Sequence, residues 1–376
     1  MGPIKTLHLA TLAFFFAYGL TVPTLPLYLK ELGLAPGEVG LAVALMPLAG
    51  LLLRPFGGWL TDAKGRKPPA LLGLLTSLLA GLFYLGPLPL VLLGRFLQGL
   101  GMALFAPSTL AQTSDLAPEE ALGRTMGTRN LVIGLGVMLG TAVGGLVYDL
   151  YGAKGVFSLY LALHLPWFLP LLRLPETLSS PRLEPWWQGF LAALKIPGVQ
   201  AATWANTGFA AVFSMLQAYY PLFLTQAGLG ASLVGVFFGF YSLVSVAARL
   251  PAGAILDRQN PYRVATFGFI VATAGIFLLW AFPLPPLALV AGVVMGLGSG
   301  FYLPANVVAV TKATPPNLRG AAFSLFTASW DAGGLLGPPL AGAAVEWVGL
   351  SAFFPLAALV AVFTTLVYLR LARRVL

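Results

Sequence analysis

With 376 residues, 58% of them hydrophobic and only 9% charged, this chain lacks the charge to cover a soluble surface, on which about a quarter of a domain's residues are ionic. It is therefore read as an all-α integral membrane protein. The absence of cysteine excludes disulfides, thiolate catalysis and Cys-based metal sites, and two histidines far apart in the chain, His8 and His164, do not alone make a metal centre.

Apolar stretches long enough to cross a bilayer, about 20 residues each, recur along the whole chain. In order, the expected spans are 8–29, 38–60, 69–86, 88–112, 124–148 and 154–173, then 198–225, 231–255, 262–282, 285–311, 319–345 and 350–371. The first is too long for a signal-peptide core and no small-residue cleavage site follows it. Short Pro-rich turns, "GPLP" at 86–89 and "PLPP" at 283–286, stop one helix and start the next. The organisation expected is a six-helix unit over 1–174, a linker over 175–197 and a second six-helix unit over 198–376. In the linker, "EPWWQGFLAALK" reads as a short amphipathic helix at the membrane interface, the alternative being an unstructured connection.

Twelve spans put both termini on one side. That side, or the helix ends facing it, collects Lys5, Arg54, Lys64, Arg66, Lys67, Arg124, Arg129, Arg173 and nearly every cation of the second half; only Lys30 and Lys154 fall opposite, and Arg95 lies inside a span. Cationic loops stay on the cytoplasmic side, so both termini are expected there, in a multi-pass protein of the cell's inner membrane. The net charge of +9 then faces the lipids of the inner leaflet, and no basic-aromatic patch calls for nucleic acid.

The two halves match at a fixed offset of 195 residues: Pro26 with Pro221, Gly33 with Gly228, Gly40 with Gly235, Arg54 with Arg249, Gly58 with Gly253, Asp62 with Asp257 and Arg124 with Arg319. Hydrophobic letters alone would not also align Arg, Gly and Asp. The chain reads as a duplicated six-helix unit, a pattern of secondary transporters.

Between spans 2 and 3 runs Gly58-Trp-Leu-Thr-Asp62-Ala-Lys-Gly65-Arg66-Lys67. Gly58 would let helices approach, Gly65 permits a tight turn, Asp62 could face a helix N-terminus or a cation, and Arg66 could pair with a carboxylate such as Asp115. Contacts of this kind make a conformational latch; a loop that only fixes orientation would need the cations but neither Asp62 nor the glycines. The stretch resembles the loop motif of the major facilitator superfamily, G-x-L-x-D-r-x-G-r-k, and the resemblance extends over essentially the whole chain.

Span 4 carries Arg95, Gln98 and Met102 on one face. A cation inside a span is costly and usually faces a wet cavity; a structural arginine bonded to carbonyls is the alternative. The stretch is similar to the family's R-x-x-q-G-x-g motif. Span 5, with Gly136, Gly140, Thr141, Gly144 and Gly145, resembles the g-x-x-x-G-P-x-x-G-G signature of drug:proton antiporters, with Thr141 in place of the proline. Glycine rows of this kind also mean close helix packing. Pro23 and Pro26 resemble the P-x-x-P-l-y pattern of twelve-span drug exporters.

Asp331, about twelve residues into span 11, is the one acid that the expected spans place in the membrane interior. Such a carboxyl could load and release a proton, with Arg95 adjusting it; an Asp held permanently by local hydroxyls or by Arg95 is the alternative. A polar and soft lining is available in Tyr18, Gln98, Met102, Asn206, Gln217, Tyr241, Met295, Tyr302 and Asn306. No P-loop, HExxH, G-x-S-x-G or carboxylate cluster is present, so neither an enzyme nor an ATP-driven pump is expected, and no catalytic residue, metal or cofactor beyond the proton as coupling ion. What the residues and the resemblance together imply is a major facilitator fold, expected as a monomer among membrane lipids, exporting small lipophilic or cationic compounds against a proton; a sugar or metabolite exporter, or an uncoupled facilitator, is the other reading.

Overall fold

The computed structural model describes residues 2–178, 186–315 and 318–373, exclusive of the side chains at positions 55, 62, 123, 186–188 and 320. The described residues hold helices and no strand: α1 (Pro3–Glu31), α2 (Pro36–Ala63), α3 (Lys67–Phe83), α4 (Leu88–Leu116), α5 (Leu122–His164), α6 (Phe168–Leu172), α7 (Trp186–Ala193), α8 (Pro197–Gln226), α9 (Ala231–Leu256), α10 (Pro261–Ala281), α11 (Leu287–Ala313), α12 (Arg319–Val348) and α13 (Phe353–Ala372). Proline opens α1, α2, α8 and α10, where its missing N–H costs nothing. Among the described residues, nine segments are long and apolar enough to cross a membrane, and α3, at 17 residues, is shorter.

Spans 5 and 6 are two helices, as expected, but without the expected loop: α5 holds all of span 5 and the first part of span 6, and they meet at a kink at Gly152, whose φ of 65° and ψ of −168° are not helical. A positive φ is cheap only for glycine, so the connection shrinks to one residue. In the linker, α7 does form. Its Phe190 and Ala193 pack into a cluster with Val199, Ala202, Val310, Ala322, Leu325 and Phe326.

Two compact units emerge. The first is Met1–Gly33, Leu45–Glu184 and Gly230–Gly235; the second is Leu34–Ala44, Pro185–Leu229 and Val236–Leu376. The starts of α2 and α9 thus cluster away from the rest of their own helices. Inside the first unit α1 packs most extensively on α5, and α3 on α4; inside the second, α8 packs on α12, and α10 on α11. The pairings are the same, so the duplication read from the sequence is carried by packing as well.

Glycines set these approaches. In the first unit a Cβ at Gly136 would meet the Leu12 carbonyl oxygen at 2.8 Å, and one at Gly140 would overlap the Phe16 carbonyl oxygen. In the second, Gly333 stands over the Thr207 carbonyl and Gly337 over that of Ala211. The partners on α1 and α8 keep the offset of 195 (Leu12 to Thr207, Phe16 to Ala211), but the glycines are offset by 197 (Gly136 to Gly333, Gly140 to Gly337). Helix α12 therefore carries two more residues than α5 between Arg319 and Gly333.

Candidate functional site

The loop motif is built at the junction of α2 and α3. Gly65 takes a φ of 113°, which turns the chain so that Arg66 and Lys67 start α3. Arg66 Nε lies 3.1 Å from Asp115 Oδ2, and its Nη1 donates to the Thr61 carbonyl at 2.8 Å. Thr177 Oγ1 donates to the same Asp115 oxygen at 2.7 Å. The side chain of Asp62 lies outside the described residues. Gly58 does not carry a close approach among the described residues, none of which comes within 4 Å of a Cβ built there. Gly57 carries it instead, facing the Ala103 carbonyl at 2.7 Å.

One member of this junction is invisible to sequence reasoning. Helix α3 has no acid in its first turn and no side-chain cap, which leaves orphan N–H groups. Glu176, more than a hundred positions away, supplies the acceptor: the Arg66 N–H donates to Oε1 at 2.8 Å and the Lys67 N–H to Oε2 at 3.0 Å, with Thr177 and Leu178 N–H groups also on Oε1. Partial burial pushes the Glu176 carboxyl up, but the four N–H groups outweigh it, and its pKa settles below the ordinary value. A lowered pKa means that the docking is fully present above the ordinary carboxylate range and is lost as pH falls through the lowered value. Glu176→Gln should therefore speed hydrogen exchange at the Arg66 and Lys67 amides by roughly tenfold at neutral pH, the scale of losing hydrogen bonds to a charged group. Unchanged exchange in the variant would contradict this role.

Also in the first unit, Arg95 and Gln98 meet on one face of α4. Arg95 Nη1 and the Tyr84 hydroxyl both donate to Gln98 Oε1 at 2.7 Å, and Gln98 Nε2 donates to Thr21 Oγ1 at 3.3 Å. Thr21 in turn bonds the carbonyl of Tyr18, a half-buried residue. Met102 points elsewhere: it packs against the cluster of Leu7, Ala10, Phe14, Leu74 and Phe105. Arg129, grouped with the loop cations by its position in sequence, is buried in α5. Its Nη2 donates to the Ala106 carbonyl at 2.9 Å and to Thr109 Oγ1 at 3.3 Å, on either side of Pro107 within α4. The four glycines of span 5 divide: Gly136, Gly140 and Gly144 face α1, while Gly145 faces the Ala231 carbonyl at the start of α9.

In the second unit Asp331 is buried on α12, 6% exposed. Two and five residues before it, Ser329 and the Phe326 carbonyl accept from Asn206 Nδ2 at 3.0 and 2.8 Å, and Tyr302 donates to Asn206 Oδ1 at 2.9 Å. This ties α8, α11 and α12 together. Asn206, Tyr302, Asn306 and Met295 all lie in packed interior, Met295 against Gly275. Gln217 is half-buried. Next to Asp331 in sequence, half-buried Trp330 stands 6.0 Å from the rings of both Phe209 and Phe213, and Phe213 stands 4.9 Å from Tyr241. The aromatic rings of α8, α9 and α12 thus meet in this unit, and Asp331 is buried on α12 next to one of them in sequence.

A family model described as Major Facilitator Superfamily matches residues 7–290 and 240–375. The chain belongs to the Major Facilitator Superfamily. As a member, it is a membrane-spanning transporter of small molecules, and the resemblance read from its loop motif holds for the whole chain. It is 25% identical over 382 residues to the "Uncharacterized MFS-type transporter YhhS" of Escherichia coli K12, an alignment covering 99% of this chain and 93% of that one. It is 26% identical over 261 residues to the "Quinolone resistance protein NorA" of Staphylococcus aureus, covering 63% of this chain and 65% of NorA. Among solved structures, the nucleoside transporter NupG superposes with a TM-score of 0.84 at 14% identity, over 98% of this chain and all of NupG. The human organic anion transporter MFSD10 superposes with a TM-score of 0.72 at 16% identity, over 97% and 98% of the two chains. At these identities the two structures speak for the fold of the superfamily member.

Proposed function

We propose that this transporter exports small lipophilic or cationic compounds in exchange for protons, by alternating access, as a monomer in the inner membrane with both termini in the cytoplasm. The observation that carries the reading is Asp331, a buried carboxyl on a membrane helix, in a unit where Trp330, Phe209 and Phe213 cluster. An ionised carboxylate in such a place attracts a cation, and aromatic faces hold both its charge and its apolar body. Protonation removes that attraction, so proton and substrate compete for one group, which is the minimum that exchange requires. Arg95, braced by Gln98, would add positive charge that favours release of the proton. The kinship with NorA, a protein named for quinolone resistance, supports an export role.

The test uses everted membrane vesicles with an acidified lumen and a permanently charged, fluorescent lipophilic cation. The cation should accumulate inside, and an ionophore that collapses the pH gradient should release it. Movement indifferent to the gradient, or movement of sugars and nucleosides alone, would overturn the reading in favour of a facilitator or metabolite exporter.

A further inference from the structure

Two acids outside the loop motif occupy equivalent places in the duplicated chain. At the offset of 197 that relates the glycines of α5 and α12, Asp149 corresponds to Glu346. Each follows its helix's glycine row, and each lies at the start of another helix. Asp149 accepts the Ala231 N–H on Oδ1 and the Ser232 N–H on Oδ2, both at 2.8 Å, at the first turn of α9. Gly230 makes room for it, since a Cβ there would come within 2.6 Å of Oδ2. The Glu346 carboxylate lies over Gly37 in the first turn of α2, so that a Cβ at Gly37 would overlap it. Ser232 and Gly37 are themselves equivalent at the offset of 195.

Backbones close in at both places. Gly145 stands over the Ala231 carbonyl, and its counterpart Gly342 stands 3.0 Å from the Gly37 Cα by the same Cβ measure. Beside Glu346, the Tyr219 hydroxyl donates to the Pro36 carbonyl at 3.0 Å and approaches that of Pro338 at 3.2 Å. Residues 230–235 group with the first unit and 34–44 with the second, away from the rest of α9 and α2. Close glycine packing alone would hold the backbones near each other without needing a charge. An acid just before the Gly152 kink of α5 and another near the end of α12, each aimed at the positive first turn of a neighbouring helix, is what the packing does not require.

We propose that Asp149 and Glu346 are a matched pair of electrostatic latches. Each carboxylate seats on the N-terminus of the adjoining helix, α9 for Asp149 and α2 for Glu346. Their charge sets the fraction of molecules in which those helix ends are joined. Rested on the reading of the protein as an alternating-access transporter, the pair secures the end of the bundle remote from the chain termini. Both acids are exposed, which suits a latch: each contact is weak enough to break in every cycle, yet biases a balance between states of similar energy.

The chain has no cysteine, so spin labels attach only where cysteine is introduced. Label pairs at Tyr151→Cys with Ala227→Cys, and at Ala35→Cys with Trp347→Cys, report the two junctions as pulsed-EPR distance distributions on purified full-length protein. Asp149→Asn and Glu346→Gln should each raise the ratio of separated to joined populations at their own junction by roughly fivefold, the scale of one charge at an exposed helix end. The double variant should exceed either single one. Glu119→Gln, an exposed acid in another loop, should leave both distributions unchanged. Where a variant does not fold, the labelled parent in rising salt gives the same reading, because exposed charges are screened. Joined populations that persist both in the folded double variant and in high salt would overturn the proposal. No substrate or proton gradient enters the measurement, so the latch can fail while the transport reading stands, or hold while that reading fails.

Discussion

Asp331→Asn is expected to abolish proton-driven accumulation of a lipophilic cation while sparing exchange down a gradient. Asn preserves the shape of the side chain and removes only the ability to ionise and to take up a proton. The neutral amide also avoids the cost of a charge among apolar helices, about 3 kcal/mol near a bilayer centre, so the variant should fold at least as well as the parent. Uphill accumulation in everted vesicles should fall by more than roughly tenfold, with counterflow of labelled against unlabelled substrate within a few-fold of the parent; a loss of that shape marks an interaction used for coupling rather than for binding or folding. If both activities fall together along with the unfolding temperature, Asp331 is a structural group on α12.

Gly140→Val is expected to have the largest effect on folding. A Cβ at Gly140 would overlap the Phe16 carbonyl oxygen and come within 2.7 Å of the Gly19 Cα. Both obstacles are backbone, on the helix that packs most extensively against α5, so relief requires α1 and α5 to move apart. Overpacking of this kind costs about 1–3 kcal/mol, and more where the backbone itself must shift. The variant should lose several degrees of unfolding temperature in detergent or fail to accumulate as folded protein. Gly58→Ala is the contrast, because no described atom lies within 4 Å of a Cβ at that site and alanine favours helix by about 0.5–1 kcal/mol over glycine; it should be neutral or slightly stabilising. Equal stability of Gly140→Val and the parent would contradict the packing described for α1 and α5.

Much of the fold was legible because its causes are local. Runs of apolar residues of membrane length, prolines at helix starts and cations between spans all repeat, and the offset of 195 tied the halves together. Its change to 197 in α12 was hidden, since it shows only when Gly136 and Gly333 are seen against equivalent carbonyls of α1 and α8. The single-residue break at Gly152 was hidden for a related reason: the sequence marks a polar turn, but not that the helix resumes immediately. In the site, Arg95 and Gln98 were legible from i, i+3 spacing on one helix, whereas Met102, on the same face, finds a different neighbourhood a turn further on. Glu176 and Asp149 could not be picked out by spacing. Each serves the first turn of a helix distant in sequence, and a lone acid gives no sign of which helix it will reach. The usable signal lay with the partner: α3 begins with two cations and no acid, so something had to satisfy its N–H groups.

The most direct test of proton-coupled export is the internal pH of proteoliposomes prepared acidic inside, followed as a permanently charged lipophilic cation is added outside. If substrate and proton exchange, cation entry drives protons out and the lumen becomes more alkaline with the parent protein, but not with Asp331→Asn or with protein-free liposomes. Cation entry without any change of internal pH, or an equal change in Asp331→Asn, would contradict the account.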